Sequence, residues 1–271
     1  MDNIDYCLVT FFYDIGRKNW KNYKRLSEEY IESFNILLKY DYNMCIFVDD
    51  RYYDTLKAKI ENSKFKKNKK LYPINESWLN KNIWSWSRLG QEREIMLSDY
   101  YKNLVQDRIN SNYPENTIPE YTILTHSKID FVNYVIENNL YNANNYGWVD
   151  FGYFHNKNTK EFLPRNTLDI NKFNINKINI CLINDIDDQD RDIMYTLKYS
   201  PEKIGAYFFL GNKKTLKEFQ ELSHKWLIKY QSLNICDDEQ SLWIQCYFEN
   251  INLFKKHIFY KWHSALTHFS L

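Results

Sequence analysis

Three acidic positions of the sequence follow apolar runs with the length and composition of β-strands. Asp14 comes soon after the first run, Asp49 and Asp50 end the second, and Asp150 ends a later one. The carboxyl ends of parallel strands meet at one edge of a sheet, where ligands of open α/β folds bind. Each aspartate taken alone favours a structural role, because Asp is a common strand terminator and turn former. Together the three positions indicate a shared acidic site.

Asp150 stands out because of its apolar surroundings in the stretch GWVDFGY, residues 147–153. Burying an unpaired carboxylate is costly, so this side chain needs a partner. A hard divalent cation such as Mg²⁺ or Mn²⁺, held by one or two carboxylates and substrate phosphates, would serve. Gly152 would then let a phosphate or sugar approach the backbone. The structural alternative is a strand terminator in an ion pair with Lys128 or Arg165.

A second acidic group is DDEQ, which comprises Asp237, Asp238, Glu239 and Gln240 and precedes a run with helical spacing. Acids favour a helix N-terminus, so capping alone could explain the group. Three consecutive acids exceed what capping requires. They would also suit recognition of sugar hydroxyls or a general base. Capping and a role in a site have equal weight at this point.

The tail FYKWHSAL carries Lys261 and His263. A lone histidine is more often a structural residue than a ligand. If the tail folds back over the acidic site, Lys261 could neutralise a donor phosphate and His263 could complete a metal shell.

The order of the elements predicts an α/β fold with a Rossmann-type mixed sheet flanked by helices. Strand, helix and strand alternate within residues 4–50, which indicates a parallel unit with a right-handed crossover. Further along we predict helices in 76–112, a short strand or turn before a helix in 122–139, strands in 145–155, 178–185 and 204–214, and a helix in 215–233. The basic run 64–70 favours a solvated helix end or loop. We expect a single domain over 1–271.

Composition excludes several classes of protein. Hydrophobic residues make up 44% of the 271 positions, which is typical of a globular fold. Lys and Arg number 36 against 35 Asp and Glu, so the net charge is close to zero and does not favour binding to nucleic acid. The five cysteines lack a CxxC pair, which favours free thiols in a reducing compartment. Without a signal-peptide pattern or a membrane-length apolar window, we expect a cytoplasmic protein with no transmembrane segment, which could work at a membrane surface.

Several segments together resemble the HtrL/YibB family over about residues 6–245. The matching segments are TFFYDIGRKNW (10–20), SKIDFVNYVIENN (127–139), YGWVDFGYFH (146–155), AYFFLGNKKTLKEF (206–219) and DDEQSLW (237–243). The most distinctive piece is W-[VI]-D-F-G-Y. Members of this family look like glycosyltransferases of the GT-A type, which bind a nucleotide sugar at the carboxyl edge of the sheet, normally with Mn²⁺ or Mg²⁺. The resemblance implies a nucleotide-binding part over about 1–155 and an acceptor side over about 156–271.

The resemblance also implies roles for individual residues. Those expected at the nucleotide are Thr10, Phe12, Asp14 and Arg17, with Asp50 at the base or ribose. Lys128 would lie near the diphosphate or donor sugar, and Gly211 would let a sugar approach the backbone. Asp238, Glu239 and Gln240 resemble the element that lines the sugar side of GT-A sites. Asp150 would stand in the position of the D-x-D metal motif, and His263 matches a late histidine of the metal shell.

The sequence departs from the GT-A pattern at the metal motif. It reads Asp150-Phe151-Gly152, so the second acid of D-x-D is missing. Either His263 and water complete the shell, or the metal is used weakly or not at all.

The resemblance implies transfer of a sugar from a nucleoside diphosphate donor, with UDP expected, to a hydroxyl of a glycan, lipid-linked sugar or protein. If the reaction inverts the anomeric centre, Asp238 or Glu239 should deprotonate the acceptor. If it retains the configuration, the acids more often position the donor. The alternative is a non-catalytic sugar- or nucleotide-binding module on the same scaffold. A metal-dependent phosphoester hydrolase is a weaker third reading.

Overall fold

The computed structural model describes residues 4–155, 163–164 and 167–271. Arg165, one of the two partners considered for Asp150, lies outside the described residues. The strands in chain order are β1 (Ile4–Phe12), β2 (Met44–Asp49), β3 (Lys69–Ile74), β4 (Ala143–Val149), β5 (Ile178–Leu182), β6 (Ile204–Asn212) and β7 (Phe254–Ile258).

The α-helices lie between these strands and in the C-terminal part. They are α1 (Ser27–Leu37), α2 (Tyr53–Glu61), α3 (Glu76–Asn82), α4 (Leu89–Leu97), α5 (Asp99–Gln106), α6 (Pro114–Thr117), α7 (Pro119–His126), α8 (Lys128–Glu137), α9 (Ile193–Tyr199), α10 (Lys213–Ser232), α11 (Glu239–Glu249) and α12 (Ala265–His268). Short 3₁₀ segments include Arg17–Asn19 and Asp50–Tyr52.

The described strands form a mixed sheet in the order β3-β2-β1-β4-β6-β5-β7. Strands β3, β2, β1 and β4 pair in parallel, β6 runs antiparallel to β4 and β5, and β7 is parallel to β5. The predicted α/β class with a mixed sheet flanked by helices is therefore confirmed. The carboxyl ends of β1, β2 and β4 also lie side by side, as the three acidic strand ends predicted.

Both faces of the sheet are covered, because alternate residues of each strand point to opposite sides. Along β1, Cys7 and Val9 belong to one core, while Tyr6 and Leu8 belong to the other. The first core packs α7, α8, α10 and α11 against the sheet, and the second packs α1, α2 and α12. Each fully buried large side chain stabilises the fold by roughly 1.5–3 kcal/mol. The two cores therefore hold the strand ends and the helices next to them in fixed positions.

Three local predictions from the sequence were wrong. The strand predicted over 145–155 ends at Val149, and residues 151–154 form a turn. Residues 122–126 are not a strand or turn but the end of helix α7, which begins at Pro119, a residue well suited to a first helical turn. The basic run 64–70 is not wholly solvated, since Lys69 begins β3 and is 7% exposed. Its ammonium donates hydrogen bonds to the carbonyl oxygens of Tyr40 and Tyr42, which replace the water that burial removes.

Two further properties bear on the expected class of protein. All five cysteines are buried and free. None of the helices in the described ranges combines the length and the apolar character that a membrane span requires.

Candidate active site

A cavity of about 340 Å³ opens at the carboxyl ends of β1 and β4 and is named cavity A. This volume lies within the usual range of ligand pockets. Most of the residues that the sequence predicts for the site line it: Phe12, Asp14, Arg17, Lys128, Asp150, Gly152, Asp238, Glu239, Gln240 and His263. Cavity A therefore joins the two acidic groups and the tail, which are far apart in the chain.

Asp14 holds the loop that follows β1. Its Oδ1 accepts a hydrogen bond from the backbone N–H of Gly16 at 2.8 Å, and its Oδ2 accepts from Ser27 at 3.1 Å and Tyr52 at 3.0 Å. Partial burial disfavours the charged carboxylate, but these donors outweigh it and lower the pKa of Asp14. Gly16 has a φ of 77°, a left-handed conformation that glycine adopts without strain. The loop is thus fixed around an ionised Asp14.

Arg17 and Tyr30 form the wall of cavity A beside this loop. The Arg17 guanidinium donates to the Tyr30 hydroxyl at 2.6 Å and to the backbone oxygen of Tyr23 at 2.8 Å. A Cβ at Gly152 would lie 3.1 Å from the Tyr30 ring. The Tyr30 ring therefore occupies the space that a side chain at position 152 would need.

Asp150 has a protein cation as its partner. Its Oδ1 lies 2.9 Å from the Lys128 ammonium and accepts a hydrogen bond from the Trp148 indole at 2.7 Å. Lys128 also lies 2.8 Å from Glu239 Oε1 and donates to the Ala206 backbone oxygen at 3.0 Å. Despite burial, the two carboxylates raise the pKa of Lys128, so the ammonium stays charged. The ion pair with Lys128, the structural alternative in the sequence, is present.

Asp237 holds the acidic turn before α11 in place through two contacts. Arg108 pairs with Asp237 Oδ1 at 2.9 Å, and both side chains are nearly inaccessible, at 1% and 5% exposure. The backbone oxygen of Asp237 accepts a hydrogen bond from His126 at 2.9 Å. These contacts fix where the next two residues, Asp238 and Glu239, point.

Asp238 caps helix α11, as the sequence allowed. Its Oδ1 accepts from the backbone N–H of Gln240 and its Oδ2 from the Gln240 side-chain amide, both at 3.0 Å. Burial, followed by repulsion from Glu239 and Asp237, raises the pKa of Asp238 well above its usual range. Asp238 therefore both caps α11 and lines cavity A. The second carboxylate oxygen of Glu239, Oε2, is buried and has no hydrogen-bond partner among the described residues.

His263 brings the tail to cavity A. Its Nδ1 is buried and has no hydrogen-bond partner among the described residues. Burial lowers the pKa of His263 to about 3, so the ring is neutral. The ring of His155 lies 5.2 Å away, centre to centre, and its Nδ1 donates to the Gly152 backbone oxygen at 2.7 Å. The tail does fold back over the site.

A divalent cation would find few protein ligands in cavity A. No cluster of three or more His, Cys, Asp and Glu side chains suited to a metal occurs within the described ranges. Asp150 and His263 both line the cavity, which is a two-ligand set, and the Nδ1 of His263 is buried and unpartnered among the described residues. Such a set fits Mg²⁺ or Mn²⁺ when substrate phosphates and water supply the other ligands.

Four predicted residues do not line cavity A. Thr10 is fully buried inside β1, opposite Ile46. Asp50 is exposed in the 3₁₀ turn after β2 and accepts from Asn75 at 3.2 Å. Gly211 lies near the other end of the sheet, where a Cβ would meet Ile178 at 2.7 Å. Lys261 is exposed, two residues before His263.

Other residues of cavity A were not predicted from the sequence. They include Arg25, Tyr121, Trp148, Tyr207 and Trp262. Trp148 could have been predicted as a site residue, because it lies two residues before Asp150 in the most distinctive segment. The others stand in loops, helices or strands without a local chemical pattern, and the fold alone brings them to the cavity.

Comparison with known proteins gives the family. The sequence model of a family described as "Bacterial protein of unknown function (HtrL_YibB)" matches residues 4–270. The chain belongs to the HtrL_YibB family. The chain is also similar to Protein HtrL of Escherichia coli strain K12. The two sequences are 25% identical over 262 residues, which cover 91% of this chain and 85% of that protein.

Among solved structures, the crystal structure of mouse xyloside xylosyltransferase 1 in its apo form is similar to this chain with a TM-score of 0.46 and 11% identity. The similarity covers 94% of this chain and 85% of the mouse chain. The HtrL_YibB description assigns no activity, so the function of this member has to be argued from its own site.

Proposed function

We propose that the protein is a glycosyltransferase that moves a sugar from a nucleoside diphosphate donor, with UDP the expected nucleotide, to a hydroxyl of an acceptor. The observation that carries this proposal is the composition of cavity A. One cavity at the carboxyl edge of the sheet holds, among the described residues, the three cations Lys128, Arg17 and Arg25 together with the carboxylates Asp14, Asp150, Asp238 and Glu239. Cations suit a diphosphate leaving group, and a carboxylate suits a sugar hydroxyl.

The cations of cavity A would stabilise the negative charge that develops on the diphosphate. The three N–H donors of Lys128 are occupied by oxygens of Asp150, Glu239 and Ala206 at 2.8–3.0 Å. Lys128 would therefore act through its charge, and direct hydrogen bonds to the diphosphate would come from Arg17 and Arg25. Such preorganised charges are usually the largest contribution to catalysis. When bound, Mn²⁺ or Mg²⁺ would add positive charge at the same phosphates, with Asp150 and His263 as its protein ligands.

Asp238 is the residue that we assign to the acceptor proton. In a direct displacement, the acceptor oxygen forms a bond to the anomeric carbon and the bond from that carbon to the diphosphate breaks. The electron pair leaves with the nucleoside diphosphate, and the hydroxyl proton passes to Asp238. The raised pKa makes its carboxylate a stronger base than an exposed aspartate. Glu239 is less suited to this step, because it pairs with Lys128 and is only 2% exposed, whereas Asp238 is partly exposed.

A second candidate function is a non-catalytic sugar- or nucleotide-binding module. The observation that favours it is the pairing of Lys128 with both Asp150 and Glu239, which neutralises carboxylates that a catalytic metal site would leave free. A module would bind a nucleotide sugar and never turn it over, whereas an enzyme would release the nucleoside diphosphate.

A thermal-shift screen tests donor binding. Wild type, Asp150→Ala and the control Asp188→Ala, whose side chain is 94% exposed, are melted with nucleoside diphosphates and their sugars, with and without Mn²⁺. A ligand at 100 times its Kd should raise the melting temperature by about 5–10 °C for a chain of this size. We expect one nucleotide to do so in wild type and Asp188→Ala and to lose most of its effect in Asp150→Ala. No shift with any nucleotide would contradict the proposal.

A further inference from the structure

A second cavity adjoins cavity A on the side of the acidic turn and is named cavity B. Its volume is about 440 Å³. Cavities A and B share five lining residues: Arg17, Tyr121, Asp238, Gln240 and Trp262. Asp238 therefore faces both cavities, and a molecule in cavity B lies next to one in cavity A.

The walls of cavity B present aromatic rings to solvent. Tyr23 is 44% exposed, and Tyr113 and Tyr199 are each 45% exposed. The rings of Tyr23 and Tyr113 contact each other edge to face, with centres 4.9 Å apart. Exposed rings grouped in one cavity offer flat apolar surfaces, on which the C–H faces of a sugar ring can stack.

Polar groups of cavity B lie beside these rings and are mostly hydrogen-bond acceptors. Glu115 is buried and accepts from the Asn110 amide at 2.8 Å. The Oδ1 of Asn110 is buried and has no hydrogen-bond partner in the described part of the chain. Together with Asp238, these oxygens suit a ligand that brings hydroxyl donors.

The charges of cavity B argue against a phosphorylated ligand. Within the described residues, its lining carries the carboxyl groups of Glu115, Glu202, Asp238 and Asp237, the last already paired with Arg108, against the single guanidinium of Arg17. A phosphate in this cavity would be repelled by these carboxylates, whereas cavity A holds cations for one.

We propose that cavity B binds the acceptor of the transfer as an uncharged sugar ring, which stacks on Tyr113 and Tyr199 and presents its hydroxyl to Asp238. This proposal rests on the proposed function, and it narrows the acceptor to a glycan or to the terminal sugar of a glycolipid. A serine or threonine of a protein would not use the aromatic walls in this way.

Saturation-transfer-difference NMR on the full chain tests the proposal. The probes are methyl glycosides of glucose, galactose and mannose, methyl N-acetylglucosaminide, and glucose 1-phosphate as the charged counterpart. The proteins are wild type, Tyr113→Ala, Tyr199→Ala and the control Tyr100→Ala. Tyr100 is 56% exposed on α5 and does not line cavity B. Melting curves of all variants show that each is folded.

We expect at least one neutral glycoside to receive saturation on its ring protons in wild type and Tyr100→Ala. Its affinity should fall by about threefold to tenfold in Tyr113→Ala or Tyr199→Ala, as the loss of an aromatic contact predicts. Any glucose 1-phosphate that binds should do so in cavity A and keep its affinity in Tyr113→Ala and Tyr199→Ala, since neither tyrosine lines that cavity. Absence of binding by every neutral glycoside, equal binding of the glycosides in all variants, or loss of glucose 1-phosphate binding in the two tyrosine variants would each overturn the proposal.

The nucleotide screen separates this proposal from the proposed function. Tyr113→Ala should keep the wild-type thermal shift with the donor nucleotide, because Tyr113 does not line cavity A. Normal nucleotide binding together with failure of all glycosides overturns the acceptor site alone. Failure of all nucleotides overturns the proposed function.

Discussion

Replacing Lys128 by methionine removes the positive charge that lies between Asp150 and Glu239. Methionine keeps most of the length and apolar surface of the lysine stem, so the main loss is the charge. The side chains of Lys128 and Glu239 are 10% and 3% exposed, whereas that of Asp150 is 30% exposed. Leaving a buried charge without its partner costs about 3–5 kcal/mol. Since water screens Asp150 in part, we expect a loss near 3 kcal/mol, most of it from Glu239.

Urea-induced unfolding at pH 7.5, followed by circular dichroism, measures this loss. The control is Lys217→Met, which removes an exposed pair with Glu137, with side chains 52% and 54% exposed, and should cost less than about 1 kcal/mol. The double variant Lys128→Met with Glu239→Gln should regain part of the stability, because the buried carboxylate is then neutral. Equal stability of Lys128→Met and Lys217→Met, or no gain in the double variant, would refute the reasoning.

Three further predictions concern the scaffold. Burial raises the pKa of Glu92 from 4.5 to about 7, so the folded chain binds more protons than the unfolded chain between these values and stability falls as pH rises. Glu92→Gln should therefore gain about 3 kcal/mol relative to wild type between pH 4.5 and pH 8, by urea unfolding; a constant difference would contradict this. Gly147→Ala places a Cβ 2.4 Å from a β6 carbonyl oxygen and should cost about 2–3 kcal/mol by calorimetry, whereas Gly90→Ala, with no atom within 4 Å, should be neutral or stabilising. Arg108→Met leaves the buried carboxylate of Asp237 without its ion-pair partner and should cost about 3–5 kcal/mol in the same assay; a loss below about 1 kcal/mol would contradict this.

The acidic edge of the sheet could be predicted because its signals are local. Apolar runs of strand length ended in Asp14, Asp49 and Asp150, and the rule for parallel strands put their ends together. The helix that begins after Asp238 was equally visible from its capping residue and spacing. Lys128 was foreseen as one of two structural partners of Asp150, and the structure adds that the same ammonium also pairs with Glu239.

The remaining features depend on contacts between segments that are distant in the chain. Strand β3 carries Lys69, Lys70 and Pro73, so it lacks the apolar run by which buried strands are recognised. Strand β7 likewise carries Lys255, Lys256 and His257. Such edge strands have only one paired side, and polar residues are common in them.

The residues of cavity B could not be predicted from the sequence for the same reason. Tyr23, Tyr113 and Tyr199 come from three separate segments, and each alone is one of 23 tyrosines. For Asp238, the neighbouring residues in the chain predicted only a helix cap or a site residue. Its position between two cavities follows from the packing of α11 against the sheet. Site residues of this kind can be found only after the fold is known.

The most direct test of sugar transfer is mass spectrometry of a reaction that contains the chain, the nucleotide sugar that it binds, Mn²⁺ and a neutral methyl glycoside. We predict equal amounts of nucleoside diphosphate and glycosylated product from wild type, with turnover reduced by about 10²-fold or more in Asp238→Asn, in the range that general base catalysis contributes. Binding of the nucleotide sugar without any release of nucleoside diphosphate, in a folded chain and with every glycoside, would contradict an enzyme and support the binding module.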